Sequence, residues 1–324
     1  MVAGNKRTSV IIPNYNGKEY IEGCLKSVLL SGVPVDVIVV DNGSTDGSDE
    51  LVKEFPGVKL IKLEENTGFA NAVNVGIEQS DTEFVYLLNN DACIKRDTIK
   101  ELEKTMDDHP KAFSIQSKML KMSDRSVIDS AGDYYCILGW AFSRGRDKSA
   151  SYFEHGIKRI FSSCAGAAIY RRAYLEKTGL FDETHFAYLE DVDLGYRANL
   201  MGYRNYVDLE SEVYHAGSAS SGSRYNEFKT KLSSKNSIYL IYKNMPVIQV
   251  LINLPFLFAG FLIKTVFFMR KGMGVSYVNG LIKGLDMCVS GKYSKKKVRL
   301  PLKEVPRYLV IEALLLVNCL ARFI

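Results

Sequence analysis

The sequence is poor in the features that would place it at once. Six cysteines (Cys24, Cys93, Cys136, Cys164, Cys288, Cys319) form no Cys-x-x-Cys pair and no framework spacing, so scattered packing roles in a reducing compartment are expected. The N-terminal M-V-A-G-N-K-R-T leads into a strand-like run without a hydrophobic signal segment, which points to a body that stays in the cytoplasm. No internal repeat or low-complexity stretch is present, and this excludes solenoids and arrays. The turn after the first apolar run reads P-N-Y-N-G, whereas a dinucleotide-binding fold needs Gly-x-Gly-x-x-Gly there. A nicotinamide-dependent dehydrogenase is therefore excluded.

What the chain does have is ordinary in total and uneven in distribution. With 324 residues, 47% apolar and 24% charged, it can bury a substantial core in about two units. From Lys229 onward 16 basic residues face three acids (Asp286, Glu304, Glu312), a balance of +13. The first 228 residues hold 26 bases and 34 acids, a balance of −8. A basic end of this kind calls for an anionic partner, nucleic acid or a membrane surface. Residues 1–228 are thus expected to form the chemical unit and 229–324 a basic, apolar, helical tail.

Strands are expected over Thr8–Pro13, Val35–Asp41, Val58–Leu63 and Phe84–Asn89. Helices are expected near Lys18–Leu30, Asp46–Phe55, Phe69–Gln79 and Asp97–Asp108. Runs such as V-I-V-V, without polar alternation, are buried on both faces, the mark of a parallel sheet between helical layers. Between Lys118 and Arg159 the pattern is mixed, with β-like pieces at Val127–Ala131 and Tyr134–Trp140. A helix is expected from about Glu190 to Met201.

In an open parallel sheet, ligands sit beyond the carboxyl ends of the strands. The four expected strands end in P-N-Y-N-G (13–17), D-N-G-S-T-D-G (41–47), E-N-T-G-F-A-N (65–71) and N-N-D (89–91). All are polar and turn-forming, and all are delivered to one edge. Asp41 can accept from a base or a ribose hydroxyl, and a following helix N-terminus suits phosphate; a plain turn with a cap at Ser44 or Thr45 accounts for it as well. In Asn89-Asn90-Asp91, one carboxylate beside an amide fits a hard divalent cation that shares its shell with phosphate and water; Asn and Asp also favour simple turns. The E-D-V-D of 190–193 sets three carboxylates in the first turn of a helix. They complement the helix dipole, and like charges this close raise one another's pKa, as suits a general base. His215, in V-Y-H-A-G-S-A-S, is either structural or a metal ligand.

Asn244–Ile263 is 20 residues without a charge, long enough to span a bilayer, but it contains Pro246, Gln249, Asn253 and Pro255. Gln249, Asn253, Gly260, Lys264 and Lys271 share an arc of about 60° at helical spacing, the one-sided pattern of a helix lying in an interface. The basic run K-Y-S-K-K-K-V-R (292–299) follows, each base contributing about 1 kcal/mol on an anionic leaflet. Val305–Ile324 is apolar but carries Arg307, Glu312 and Arg322, a poor span. The tail therefore reads first as membrane-surface binding, with a true span or a dimer interface as alternatives. Its apolar character argues against nucleic acid.

The ordered series S-V-I-I-P-N-Y-N-G, V-D-N-G-S-T-D-G-S, N-T-G-F-A-N-A-V-N-V-G-I, L-L-N-N-D-A, C-A-G-A-A-I-Y-R-R, G-L-F-D-E, Y-L-E-D-V-D-L-G-Y-R and Y-H-A-G-S resembles the inverting glycosyltransferases of family 2 with the GT-A fold. Within them it resembles the rhamnosyltransferase-like members that build bacterial surface polysaccharides. The motifs cover about residues 8–220, and K-N-S-I-Y-L-I-Y-K-N-M-P (235–246) resembles the start of the family's tail. The resemblance implies an α/β GT-A fold, Rossmann-like, with a mostly parallel sheet and helices on both faces. It implies donor-binding roles for Pro13, Tyr15, Asn16, Asp41, Asn42, Gly68, Asn74, Asn89 and Asn90. Asp91 and His215 match the metal ligands, for Mg²⁺ or Mn²⁺. Asp191, with Glu190 beside it, matches the general base, and Gly166 and Ala167 the acceptor-side loop. The expected partners are a dTDP- or UDP-sugar and a saccharide or lipid-linked saccharide acceptor at the cytoplasmic face of the membrane, with a homo-oligomer possible.

Two departures stand out. Asn89 opens what is usually Asp-x-Asp, removing one charge, and Asn71 and Ala72 replace part of a Gly-rich stretch. Processive synthases of the same superfamily carry Gln-x-x-Arg-Trp and several spans; the single Trp140 lies in I-L-G-W-A-F, so distributive transfer is expected. The non-enzyme alternative is an inactive sugar-nucleotide-binding assembly partner.

Overall fold

The computed structural model describes residues 6–153, 155–217 and 225–323. The strands are β1 (Thr8–Asn14), β2 (Val35–Asn42), β3 (Val58–Leu63), β4 (Phe84–Leu88), β5 (Ala92–Ile94), β6 (Ala112–Lys121), β7 (Ile128–Ser130), β8 (Asp133–Tyr135), β9 (Ala141–Ser143), β10 (Ile157–Ile160), β11 (Ala167–Arg171) and β12 (Arg204–His215). The helices are α1 (Ile21–Leu29), α2 (Ser48–Lys53), α3 (Phe69–Glu78), α4 (Thr98–Asp108), α5 (Arg172–Thr178), α6 (Glu190–Leu200), α7 (Glu227–Asn244), α8 (Val247–Arg270), α9 (Gly274–Val289) and α10 (Arg307–Phe323).

The main sheet runs β10-β12-β6-β11-β4-β1-β2-β3, with β5 added to β12 and β7 to β6. Strands β1 to β4 are parallel, and β12 is parallel to β6. Because β11 is antiparallel to both β4 and β6, those six strands all point the same way. Val10 and Ile12 enter one core with Ile21, Leu25 and Ile99; Ile11 enters the other with Val73, Ile77 and Leu194. Apolar side chains on both faces of β1 thus explain its unbroken V-I-I run.

Strand β6 was hidden in the sequence because its polar residues point inward and find partners. Ser114 donates to Asn205 at 2.7 Å, Gln116 donates to Ser130 at 3.0 Å and accepts from the Cys164 backbone at 2.7 Å. Buried polar groups satisfied in this way cost little, yet they look like surface in a pattern of apolar residues.

The tail is bound to the sheet unit by charge. On α7, the buried Lys243 ammonium lies 2.8 Å from both Asp182 and Asp193, and Asn244 donates to Asp193 at 2.8 Å. Asp193, the third acid of E-D-V-D, is therefore a docking residue, also held by Arg197 at 3.0 Å. Removing one partner of so buried a network costs about 3–5 kcal/mol. Helix α9 lies close along α7 because Gly280 and Gly284 leave room: a Cβ on Gly280 would stand 1.8 Å from Ser234 Oγ.

Helix α8 corrects the expected orientation of its polar arc. Gln249, Asn253 and Gly260 are buried against the protein; Gln249 and Asn253 donate to Glu312 at 2.7 and 2.9 Å, and the Trp140 indole donates to the Gly260 carbonyl at 3.0 Å. Lys264 stays at the rim beside the Trp140 ring, and Lys271 is exposed. The apolar residues face outward instead, among them Ile248, Leu251, Ile252, Phe258 and Leu262. Among the described residues α8 is the one helix long and apolar enough to cross a membrane.

Candidate functional site

The polar strand ends converge as a chain of hydrogen bonds. Register places Asn14, the last residue of β1, beside Asp41. The buried Asn14 amide donates to Asp41 and Ser48, each at 2.8 Å, and its oxygen accepts from Asn90 at 2.8 Å. Gly17 lies against this row; a Cβ there would be 2.0 Å from Asn90 Nδ2 and 2.4 Å from Asn14 Oδ1, so no larger residue fits. The loops after β1 and β2 are stitched together: the Asn16 N–H donates to Ser44 Oγ, Thr45 N–H to Asn16 Oδ1, and Lys18 N–H to Asp46. Asp46 and Gly47, not Ser44 or Thr45, lead into α2, which begins at Ser48.

Pro13, Tyr15, Asn16, Asp41 and Asn90 are thus brought together, and Tyr15 and Asn16 are the exposed ones. Asn42 is occupied elsewhere. It accepts from Thr67 N–H at 2.9 Å and donates to the Gly68 carbonyl at 3.2 Å, tying two loops. Gly68 keeps φ at +92°, and a Cβ there would meet Phe186 at 2.6 Å. Asn74 is not delivered to the edge: its buried amide bonds to the Phe181 backbone at 2.9 and 3.0 Å and to Glu183 at 3.0 Å.

Residues far apart in sequence form the next group. Antiparallel pairing of β5 with β12 sets His215 opposite Ala92, and Asp91 Oδ1 comes within 3.1 Å of His215 Nε2. The Asn89 amide lies 3.3 Å from the same nitrogen. On the other side, His215 Nδ1 is 2.8 Å from Asp129 Oδ2, and Arg146 donates to Asp129 Oδ1 at 2.8 Å. An ionised carboxylate can only accept, so Nδ1 carries a proton and Nε2 is the nitrogen turned toward Asp91. Burial alone would lower the His215 pKa, but the hydrogen bonds and charges of Asp129 and Asp91 lift it to about 9. Burial would raise Asp129, yet His215 and Arg146 hold it well below the usual carboxylate range. An oxygen donor, an imidazole and a carboxylate fixing that imidazole from behind suit a divalent cation, which on binding would displace the Nε2 proton that Asp91 otherwise favours. Of the Y-H-A-G-S motif, Ser218 and the residues that follow it to 224 lie outside the described residues.

Across the strand ends lies a cluster of carboxyls. Oxygens of Asp191 and Asp133 and the Cys164 sulfur all lie within 4.8 Å of one another. Asp133, on β8, accepts from Ser143 of β9 at 2.8 Å. Burial raises all three acids. Glu190 is pushed up to about 7, with the charges of Asp133 and Asp193 adding, and its Oε2 has no partner. Asp133 is raised to about 6 by burial, with Asp129 adding. Asp191 is raised well above the ordinary value by burial, then by Glu190 and Asp133. Three carboxyls so coupled titrate as a group. The loop before β11 links the two sides: the Ala165 backbone hydrogen-bonds Asp191, while the Gly166 carbonyl accepts from Asn89 N–H at 2.9 Å. Gly166 is therefore central. Ala167, expected beside it on the acceptor side, is instead fully buried in the core.

A second acidic group, Asp182, His185 and Asp193, is neutralised by Lys243 and Lys296 and so lacks the free charge a cation needs. Asn14, Asp129 and Asp133 were not singled out from sequence. The spacing D-S-A-G-D (129–133) between two strand fragments was the available signal, and it lay in the stretch whose pattern was hardest to read.

The family model for glycosyl transferase family 2 matches residues 9–179, and the chain belongs to that family. It is 28% identical over 240 residues to an N-acetylglucosaminyl-diphospho-decaprenol L-rhamnosyltransferase of Mycobacterium tuberculosis, covering 66% of this chain and 77% of that one. It is 33% identical over 222 residues to the poly(ribitol-phosphate) β-N-acetylglucosaminyltransferase TarS of Staphylococcus aureus, covering 64% of this chain but 35% of TarS. The fold is similar to that of the mannosyltransferase PcManGT from Pyrobaculum calidifontis in complex with GDP-Man and Mn²⁺, with a TM-score of 0.55, 18% identity, and coverage of 98% and 87%. The architecture is GT-A, and the protein is a glycosyltransferase that uses a nucleotide sugar.

Proposed function

We propose that the protein is a metal-dependent inverting glycosyltransferase that moves a sugar, rhamnose from dTDP-rhamnose first and a UDP-hexose second, onto a lipid-linked saccharide. The observation that carries this reading is the pairing of Asp91 with His215 at the strand ends, backed by Asp129 and linked to the Asp191 cluster through the 165–166 backbone. The rhamnosyltransferase relative supports a deoxysugar and a lipid-linked acceptor; TarS, named for a poly(ribitol-phosphate) acceptor and solved in complex with UDP-GlcNAc, supports a UDP-sugar. Residues 1–228 are proposed as the catalytic unit.

Asp91 and His215 would hold Mg²⁺ or Mn²⁺, which when bound neutralises negative charge on a departing diphosphate. Asp41 and Asn16 order the loops against which the nucleotide packs, and Tyr15 offers a ring to the base. Asp191 takes the proton of the acceptor hydroxyl as the new bond forms at the anomeric carbon. The nucleoside diphosphate leaves from the opposite face, so one displacement inverts the configuration. A base raised by burial and then by Glu190 and Asp133 is a stronger proton acceptor once ionised than an ordinary Asp.

The tail would seat the catalytic unit on the cytoplasmic leaflet. Outward apolar residues of α8 and α9, such as Phe258, Leu262, Ile282 and Leu285, would enter the acyl boundary, and Lys292, Lys295, Lys297 and Arg299 would meet anionic head groups.

The reading is tested by following release of dTDP from dTDP-rhamnose and of UDP from UDP-hexoses, with Mn²⁺ and an extract of lipid-linked saccharides. Acceptor-dependent release from either donor is expected. Metal-dependent nucleotide binding without any turnover across donors and acceptors would favour an inactive assembly partner instead.

A further inference from the structure

The segment leading into Asp191 has an uncommon backbone. Phe186, Tyr188 and Leu189 hold φ at +65°, +67° and +69°, a region in which side chains crowd the backbone. Phe186, with ψ at −63°, is the centre of a three-residue turn closed by the Ala187 N–H on the His185 carbonyl at 2.8 Å, a strained and rare form. Such conformations persist where their surroundings enforce them, and they cluster at functional sites.

What enforces them comes from the tail. The side-chain nitrogen of Asn236, on α7, lies 2.9 Å from the His185 carbonyl, 2.9 Å from that of Ala187 and 2.7 Å from that of Tyr188. Asn236 has no exposed surface. Its two N–H groups serve three carbonyls, which fixes the amide orientation, while its own oxygen has no partner. The turn it grips reaches both halves of the site: the Phe186 carbonyl accepts from Ala70 N–H at 3.1 Å beside Gly68, and the Leu189 carbonyl accepts from Asp193 N–H at 2.9 Å, opening α6. Lys235 and Lys296 add bonds to Thr184 just upstream.

We propose that Asn236 is a positioning residue for transfer: it holds the His185–Leu189 turn in its strained form and thereby aims the Asp191 carboxylate, which makes α7 a working part of the site. This rests on the role of Asp191 as base given above.

The test compares Asn236→Ala with Asn244→Ala, which removes a buried bond from the same helix to Asp193 without touching the turn. Asn236→Ala is expected to lower kcat about 30-fold or more, with KM for the donor and Mn²⁺-dependent UDP affinity within about threefold of wild type. Amide exchange in peptides spanning 185–192 is expected to quicken at least tenfold. Asn244→Ala is expected to lose comparable thermal stability while keeping kcat within about threefold. If Asn236→Ala does not fold, Asn236→Ser, which keeps one donor, is expected to show about a tenfold loss of kcat on the same pattern. An unchanged kcat in the Asn236 variants, or an equal loss in Asn244→Ala, would overturn the proposal. Absence of turnover in the wild type would instead count against the base role of Asp191; exchange at 185–192 then decides whether Asn236 holds the turn, and unaltered exchange sinks it.

Discussion

The strand-end edge and helix α8 hold polar residues in opposite ways. At the edge, apolar side chains fill both faces of the sheet and the polar groups collect where the strands stop. In α8 the polar arc of Gln249, Asn253 and Gly260 is turned inward onto Glu312 and Trp140, and the apolar residues are turned out. The edge is built for a polar ligand approached from water. The helix leaves outward an apolar stripe that a helix in water usually hides, which is the basis of the membrane contact proposed for it. One hydropathy pattern is thus compatible with two orientations, and only the partners of the polar groups decide between them.

The sharpest cut at the edge is Asp191→Asn. It keeps the shape of the side chain and removes the proposed proton acceptor, so kcat is expected to fall about 10²–10⁴-fold. Nucleotide affinity, measured by calorimetry, should stay within about threefold. Retained turnover would assign the base to Glu190 or Asp133.

Next in size is Asp129→Asn. It leaves Asp91 and His215 in place but loosens the imidazole, and Mn²⁺ affinity in the presence of UDP is expected to drop about 10–100-fold. Electron paramagnetic resonance of free Mn²⁺ reads this without any turnover.

The contrast itself is broken by a pair of changes in α8. Phe258→Glu with Leu262→Glu alters outward residues and should leave the melting temperature unchanged while cutting binding to phosphatidylglycerol vesicles about tenfold. Asn253→Ala, on the inward arc, should cost about 1–3 kcal/mol of stability because Glu312 loses a buried donor. The reverse outcome, a stable Asn253→Ala and an unfolded double variant, would mean that the outward face is covered by protein, as in a dimer.

The smallest expected effect is a pH shift. Activity needs an ionised base and so falls as pH drops through the base's pKa. Asp133→Asn removes a negative neighbour that raises Asp191 and Glu190. The base pKa then falls, and the acid limb of kcat/KM should move to lower pH by up to about one unit. A limb that stays put would place Asp133 outside the coupled group.

Much of this site was readable because particular residues obey simple rules. β1 to β4 were found within a residue or two, since V-I-I and V-I-V-V leave little alternative to a buried strand, and their polar ends named the edge. Asp91 and His215 were paired by the family resemblance, and β5 against β12 supplies the physical contact. Asp129 and Asp133 were missed because they sit on three-residue strands, too short to show a period, and the partners that give Asp129 its role, Arg146 and His215, lie 17 and 86 positions away. Asp193 was grouped with the base, but only the fold brings Lys243 to it, 50 residues later. The direction of the α8 arc could not be read for the same reason: Glu312 and Trp140 lie far from it in the chain.

The central claim is that the strand-end edge binds a nucleoside diphosphate through a cation held at Asp91. Calorimetric titration of dTDP and UDP, each with and without Mn²⁺, into wild type and Asp91→Asn tests it directly. At least one nucleotide is expected to bind the wild type in a Mn²⁺-dependent manner, and that dependence should vanish in a folded Asp91→Asn. Equal binding with and without metal, or a variant that keeps the wild-type metal dependence, would contradict the account.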